Sequence, residues 1–563
     1  MRGAIIKRLE ELGVAGSVGK YLSEADIAAL QTFLAEASAM DRAYLAAHRA
    51  ALRGGGGVRA DFEPVEGLRV KEDDEAVGMA SMAAGEWASV VFAGGAATRF
   101  YLEARDDMRV RAAVERFGGV PPKGLVPVTP VAGFSFVELF VHEALAAGVS
   151  ARRLPVVVFL TSSLTDRAIS RFIHEADFQG FPKSYLLTLR QAEHPRLDLD
   201  GDVVVDRDGH MVKTGDGHGG VFRALLRADS GPSMADRLRT MGIRSLVLHN
   251  VDNALARPFD WPRLGFHRRG RFLLTMTVVE RARPEEKVGL VVRDRTTGQI
   301  EVVEYSVCPK EVALAQDKTG QALFRLAHIN TNLVELDAVN PAIPPTLYTG
   351  KMVEVSGRLV PTSSFEMLNQ HLSSLLPPSR VGVLLVERGA YFLPTKTVRG
   401  EDSLLHTVAT LSAIGRMRLL RGGASVAGDA TIEVSPCVPE DLCWPGLSVG
   451  HEAWLYIGVR HGPFGLAPIG RGVRVEDGAR LKVIVERPYG LVQVGPDRSC
   501  AEDPTSAGRV RVGDGVVVEG GADICISVEG DGVLFIRDNA RLSGSQDIRV
   551  PGGTHLTIPD DSA

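Results

Sequence analysis

Cysteine is scarce in this 563-residue chain: Cys308, Cys437, Cys443, Cys500 and Cys525 are odd in number and share no metal-ligand spacing. A disulfide scaffold and a structural zinc site are thereby disfavoured, and a reduced, cytoplasmic protein is expected. No run of about 18 apolar residues is present to span a bilayer. The opening stretch "MRGAIIKRLEELGVAG" is too charged, and too brief in its apolar part, to read as a signal peptide. An excess of one charge is also missing. With 64 basic and 69 acidic residues the net charge is −5, which gives no global attraction to nucleic acid or to an anionic membrane. Any polyanionic ligand must be met locally.

What is present divides into three textures. With 45% hydrophobic residues the chain is too long for one core and implies two to four domains. "SEADIAALQTFLAEASAMDRAYLAAHRAAL" places apolar residues at helical spacing behind a Ser23 cap, and "RGGGGVRADFEP" then reads as a linker, so residues 1–84 are expected to be a helical region with its linker. From 85 to 424, β-rich runs such as "SVVFA", "LPVVVFL" and "SLVLHN" alternate with helical stretches such as "SFVELFVHEALAAG". This alternation predicts an α/β domain with a mostly parallel sheet covered by helices on both faces. From 425 to 563 helix formers thin out, and short Val/Ile runs are punctuated by Gly-Asp pairs. That texture fits a β-rich domain, a small β-solenoid or a β-sandwich, whose expected role is structural or oligomerising.

In parallel α/β sheets ligands gather at the strand C-termini, which gives the stretch "VVFAGGAATRF" (90–100) its interest. Gly94 and Gly95 follow a strand, where backbone N–H groups can converge on an anion, and Arg99 can complete the coordination of a phosphate. Lys123 in "PPKGLVPVTP" is held between prolines and a glycine rather than on a solvated helix face.

The stretches "AGGAATRF", "PPKGLVPV", "TGDGHGGVFRAL", "LHNVDNALARP", "EKVGLVV…VVEYSV", "AHINTNLVELDAV" and "VERGAYFLPTKTV" occur in one order across residues 85–405. In that order they resemble the UTP:sugar-1-phosphate uridylyltransferase family, which includes UDP-glucose and UDP-N-acetylhexosamine pyrophosphorylases. The resemblance implies a Rossmann-like nucleotidyltransferase domain, UTP and a sugar 1-phosphate as substrates, and Mg²⁺ as cofactor. On the matching positions it implies that Gly94, Gly95, Gln191, Gly217 and His218 bind the nucleotide, with Gln191 on the uracil. Arg99, Lys123 and Lys396 would carry the catalytic cations, Asp252 would hold the metal, and Glu304, Asn330 and Asn332 would face the sugar.

His218 and "INTN" look more like the glucose 1-phosphate branch, which is the favoured sugar, whereas "VVEYS" is closer to the N-acetylhexosamine branch. A catalytically silent nucleotide-sugar-binding relative is the alternative from another class. Two departures from the family feed it: Ala97 stands where glycine is usual, and the stretch from Tyr101 to Val120 is longer than in relatives.

Overall fold

The structure, a computed structural model, describes residues 1–54, 61–95, 98–103, 107–228, 231–490 and 492–558, without the side chains of Thr98, Arg99 and Leu102. Four parallel strands, Trp87–Phe92, Val156–Thr161, Leu186–Arg190 and Ser245–Asn250, form the heart of the central sheet. The first lies between the second and the fourth, with the third outside the second. The order of the chain therefore reverses between Trp87–Phe92 and Ser245–Asn250. Beyond Ser245–Asn250 the strand Leu326–Glu335 runs antiparallel to it and pairs on its other edge with Leu274–Glu280.

Strand residues alternate in direction, and here both directions are apolar. Val91, Val157 and Phe159 join one core with Phe136, Phe140 and Val141 of the helix Phe136–Ser150. Val90, Val158 and Leu248 join another with Val221 and Leu238. A sheet buried on both faces is the result expected of near-continuous Val/Leu strands. A capping box at Ser135 and Glu138 starts the helix Phe136–Ser150 and satisfies two of its free N–H groups.

Helices occupy most of residues 1–54, as their apolar spacing predicts, but the helical region ends earlier than residue 84. Phe62–Pro64 pairs with Gly289–Asp294 at one edge of the central sheet. The helix Asp74–Ala83 packs on Trp261–Arg269 so tightly that a Cβ at Gly78 would fall 1.9 Å from the Trp261 carbonyl oxygen. Residues 62–84 thus belong to the central unit.

The C-terminal region is a β-solenoid. Parallel rungs begin at Thr431, Trp454, Arg480, Asp523 and Ser545, and each pairs in register with the next. The missing sequence period has a structural cause. Between Val485 and Arg509 the chain leaves the solenoid in an excursion that carries the hairpin Gln493–Val494 and Cys500–Ala501. Its Arg498 is buried against the central unit and donates to the carbonyls of Leu154, at 2.6 Å, of Met241, at 2.9 Å, and of Gly85. The apolar core also runs without a break from Val91 and Phe140 to Ile432, Ile526 and Val550. No helix among the described residues is long and apolar enough to cross a membrane.

Candidate active site

The reversal of strand order leaves a crevice beyond the C-terminal ends of Trp87–Phe92 and Ser245–Asn250, the position at which open α/β sheets bind ligands. Gly94 and Gly95 leave the first strand there, and the second leads directly into Val251 and Asp252. Ala97 lies outside the described residues, as does the side chain of Arg99, although the Thr98–Glu103 helix that carries Arg99 is in place.

Lys123 and Asp252, 129 positions apart, meet in this crevice: Nζ lies 2.8 Å from Oδ2. Lys123 is only 9% exposed, its ammonium stands over the Phe100 ring at 5.6 Å, and a short helical turn over Lys123–Leu125 fixes its backbone. The segment bearing Lys396 docks on the same carboxylate residue, because the Thr395 N–H donates to the Asp252 carbonyl at 2.9 Å. Asn253 completes the junction by accepting from the Leu393 N–H at 2.8 Å and donating to the Tyr391 carbonyl at 3.0 Å. Lys396 itself is exposed and pairs with Asp402, Nζ to Oδ2 3.3 Å. The structure thus brings together the side chains of Lys123 and Asp252 and the backbone of the segment that carries Lys396, whose own ammonium is held by Asp402.

Gln191 sits at the end of Leu186–Arg190, its N–H bound to the Thr161 carbonyl at 2.9 Å. Its side chain passes between two glycines: a Cβ at Gly215 would meet Nε2 at 2.1 Å, and one at Gly94 would meet the amide at 3.1 Å. Gly217 adopts φ +81°, and any Cβ there would fall 2.3 Å from the Met367 carbonyl oxygen, so only glycine fits this approach. His218 follows, with its ring stacked on Phe92 at a centroid distance of 5.6 Å. Burial pushes its pKa down to about 3, helped by the nearby His328 and His371.

Of the residues expected to face the sugar, Asn330 and Asn332 lie on Leu326–Glu335 and Glu304 follows Ile300–Val303. Asn330 sits at a bulge in Leu326–Glu335 with φ +50°, and its Nδ2 donates to Asn250 Oδ1 at 2.9 Å. Asn332 is fully buried; its Oδ1 faces His328 Nε2 at 2.9 Å and its Nδ2 donates to Asn369. Asn330 is also engaged at both ends of its amide but stays partly exposed, whereas Asn332 is wholly enclosed and supports the wall rather than presenting a group to the crevice. Glu304, half-buried, accepts from Gln370 Nε2 at 2.7 Å, and burial raises its pKa against that bond.

Sequence reasoning missed Asn369 and Gln370, which link these groups. The only available signal was a pair of amides amid the apolar "FEMLNQHLSSLL", a pattern that a solvated turn would also give. It also passed over Asp216, whose wholly buried carboxylate has no hydrogen-bond partner.

Among the described residues no group of three or more His, Cys, Asp or Glu side chains converges as a metal cage. Asp252 alone suits an ion that takes one carboxylate and completes its shell with phosphate oxygens and water, as Mg²⁺ does.

No family model matches the chain. UDP-N-acetylglucosamine diphosphorylase 1 of Arabidopsis thaliana is 26% identical over 303 residues, which cover 51% of this chain and 59% of that protein. UDP-N-acetylglucosamine diphosphorylase 2 of the same plant is 24% identical over 354 residues, 59% of this chain and 66% of the other. The chain thus spans about three fifths to two thirds of the length of these curated relatives. Among solved structures, the uridine diphosphate N-acetylglucosamine pyrophosphorylase of Trypanosoma brucei in complex with an inhibitor aligns with TM-score 0.63 at 20% identity, covering 78% of this chain and 93% of that one. That likeness shows a shared fold. The resemblance read from the ordered motifs is borne out by these matches.

Proposed function

We propose that this chain transfers the uridylyl group of UTP to a sugar 1-phosphate, releasing pyrophosphate. The observation that carries the reading is the Lys123–Asp252 pair at the strand reversal, beside the Gly94–Gly95 loop and bonded through its backbone to the Lys396 segment. A sugar phosphate is largely dianionic near pH 7. Its oxygen attacks the α-phosphorus of UTP, the bond to the bridging oxygen of the β-phosphate breaks, and no general base is needed. The chain's work is to align two anions and offset charge on the leaving pyrophosphate.

Lys123 and Asp252 neutralise each other. UTP would give Lys123 phosphate oxygens to bind and leave the Asp252 carboxylate available to hold Mg²⁺, which would supply charge neutralisation when bound. Lys396, exposed beside the mouth, reaches the α-phosphate as its charge develops, and Arg99 assists from the helix after the glycine loop. Gln191 matches a uracil edge, because one amide both donates and accepts.

For the sugar, the names of the curated relatives specify N-acetylglucosamine. They outweigh the preference for glucose drawn from His218 and "INTN", so an N-acetylhexosamine 1-phosphate is the proposed acceptor. The test is pyrophosphate release from UTP and Mg²⁺ with the 1-phosphates of N-acetylglucosamine, N-acetylgalactosamine, glucose and galactose. Release is expected fastest with an N-acetylhexosamine, and Lys396→Ala should lower kcat about 100-fold. No release with any of the four would favour the silent, nucleotide-sugar-binding alternative.

A further inference from the structure

Asn369 follows the strand Arg358–Met367, is 0% exposed, and begins a short helical turn, Asn369–Leu375. The glycine-rich loop lies directly on this corner: the Gly219 N–H donates to the Met367 carbonyl at 2.9 Å, and the Met367 N–H to the Asp216 carbonyl at 2.8 Å. That contact brings His218 Nδ1 within 3.1 Å of the Asn369 backbone nitrogen and 2.8 Å of its Nδ2. The same Nδ2 donates to Asn330 Oδ1 at 2.8 Å, and Oδ1 of Asn369 accepts from Asn332.

One of these bonds fixes a chemical state. A backbone N–H can only donate, so Nδ1 of His218 must offer its lone pair, and the ring proton must reside on Nε2. The amide of Asn369 repeats the instruction from a second direction. His328 and His371 also bear on the ring, and any charge on them opposes a second ring proton.

We infer that Asn369 is a positioning residue, which holds His218 as a neutral Nε2–H donor and orients the Asn330 amide, so that the group expected on the nucleotide and the group expected on the sugar 1-phosphate are fixed relative to each other. The direction of the two groups rests on the reading of the crevice as a uridylyltransferase site, whereas the state of the ring does not. Preorganised donors of this kind reduce the ordering required when substrate binds.

The experiment is ¹⁵N NMR of the histidine rings in the full chain without substrate, with His218→Gln used to assign the signal, at pH 7. The wild-type His218 ring is expected to carry its proton on Nε2 alone. In Asn369→Asp the backbone donor remains, but a carboxylate replaces the closer side-chain donor facing Nδ1; its negative charge should outweigh the backbone N–H and draw a proton to Nδ1, giving Nδ1–H or imidazolium, while circular dichroism stays unchanged. In Asn369→Ala the backbone donor remains, so the Nε2–H form should persist. KM for the sugar 1-phosphate should rise at least tenfold in Asn369→Asp and severalfold in Asn369→Ala, with kcat within threefold. A wild-type ring protonated on Nδ1, an unchanged ring in Asn369→Asp, or KM values unmoved in both variants would overturn the inference. Because the ring signal is read without substrate, an absence of pyrophosphate release would count against the proposed activity and leave the tautomer result intact.

Discussion

The helices of residues 1–54 and the C-terminal solenoid flank the same sheet but attach to different parts of it. The helices build a small core of their own with Leu197, Val203, Val205 and Met211. All four lie on the excursion that leaves the sheet at Gln191 and returns through Gly215 and Gly217 to His218. Polar bonds reinforce the grip: Tyr44 stacks on His194 at 3.6 Å, Lys20 meets Asp198, Asp200 and Asp202 at 2.7–3.0 Å, and Lys213 pairs with Glu36 at 2.8 Å. The solenoid instead continues the main core and ties itself to the far end of the sheet through Arg498. It also reaches the loop after Lys123, where buried Glu433 accepts from the N–H groups of Val131 and Ala132, both at 2.7 Å. The N-terminal attachment bears on the groups expected to read the base, and the C-terminal one on whether the sheet folds at all.

Deletions should break that comparison most visibly. A chain ending at residue 424 loses the continuation of its main core and is expected not to fold, giving no cooperative melting transition by circular dichroism. A chain lacking residues 1–54 should keep a cooperative transition and lose affinity for UTP at least tenfold. If the shortened solenoid-free chain folds and works, the solenoid is an appendage after all.

Single substitutions sharpen the contrast. Arg498→Ala leaves the carbonyls of Leu154, Gly85 and Met241 without their donor and should cost about 3 kcal/mol, seen as a lower urea midpoint. KM for UTP should stay within twofold. Tyr44→Ala removes the stack on His194 and the bond to the Phe365 carbonyl. Its cost to global stability should be smaller, about 2 kcal/mol, yet KM for UTP should rise about fivefold. A reversal of the two patterns would refute the division of labour.

Several of these features were legible in the sequence. Alternating β-rich and helical runs fixed the α/β class, and the Gly94–Gly95 pair after a Val-rich strand marked the crevice, because both follow from local periodicity and turn chemistry. Lys123, Asp252 and Lys396 could be brought together only through the order of the motifs, since pairing across 129 residues leaves no local mark. The strand Phe62–Pro64 was hidden by the adjoining linker. The solenoid's period was obscured by the Arg498 excursion, an inserted docking arm within a repeat. Asn369 was invisible for a further reason: a buried amide satisfied by His218, Asn330 and Asn332 has the same composition as a solvated one.

Asp216 offers the finest test of the link between the N-terminal helices and the loop expected to read the base. Its carboxylate is buried at the start of "DGHGG", near Tyr44, Glu366 and Arg223, and burial raises its pKa to about 7 from 3.8. A carboxyl whose folded pKa lies above its unfolded value stabilises the fold below pH 4, and that contribution is lost as pH rises towards 7. Above that value the loss is complete and constant. Asp216→Asn removes the titration, so the variant should match the wild type in urea at pH 4 and exceed it by about 4 kcal/mol at pH 8. Tyr44→Ala opens the same site to water and should draw the Asp216 pKa back towards the ordinary carboxylate range, which would shrink the advantage of Asp216→Asn in that background. Equal advantages with and without Tyr44 would mean that the helices do not seal this carboxylate, and that their hold on the excursion ends before it reaches His218.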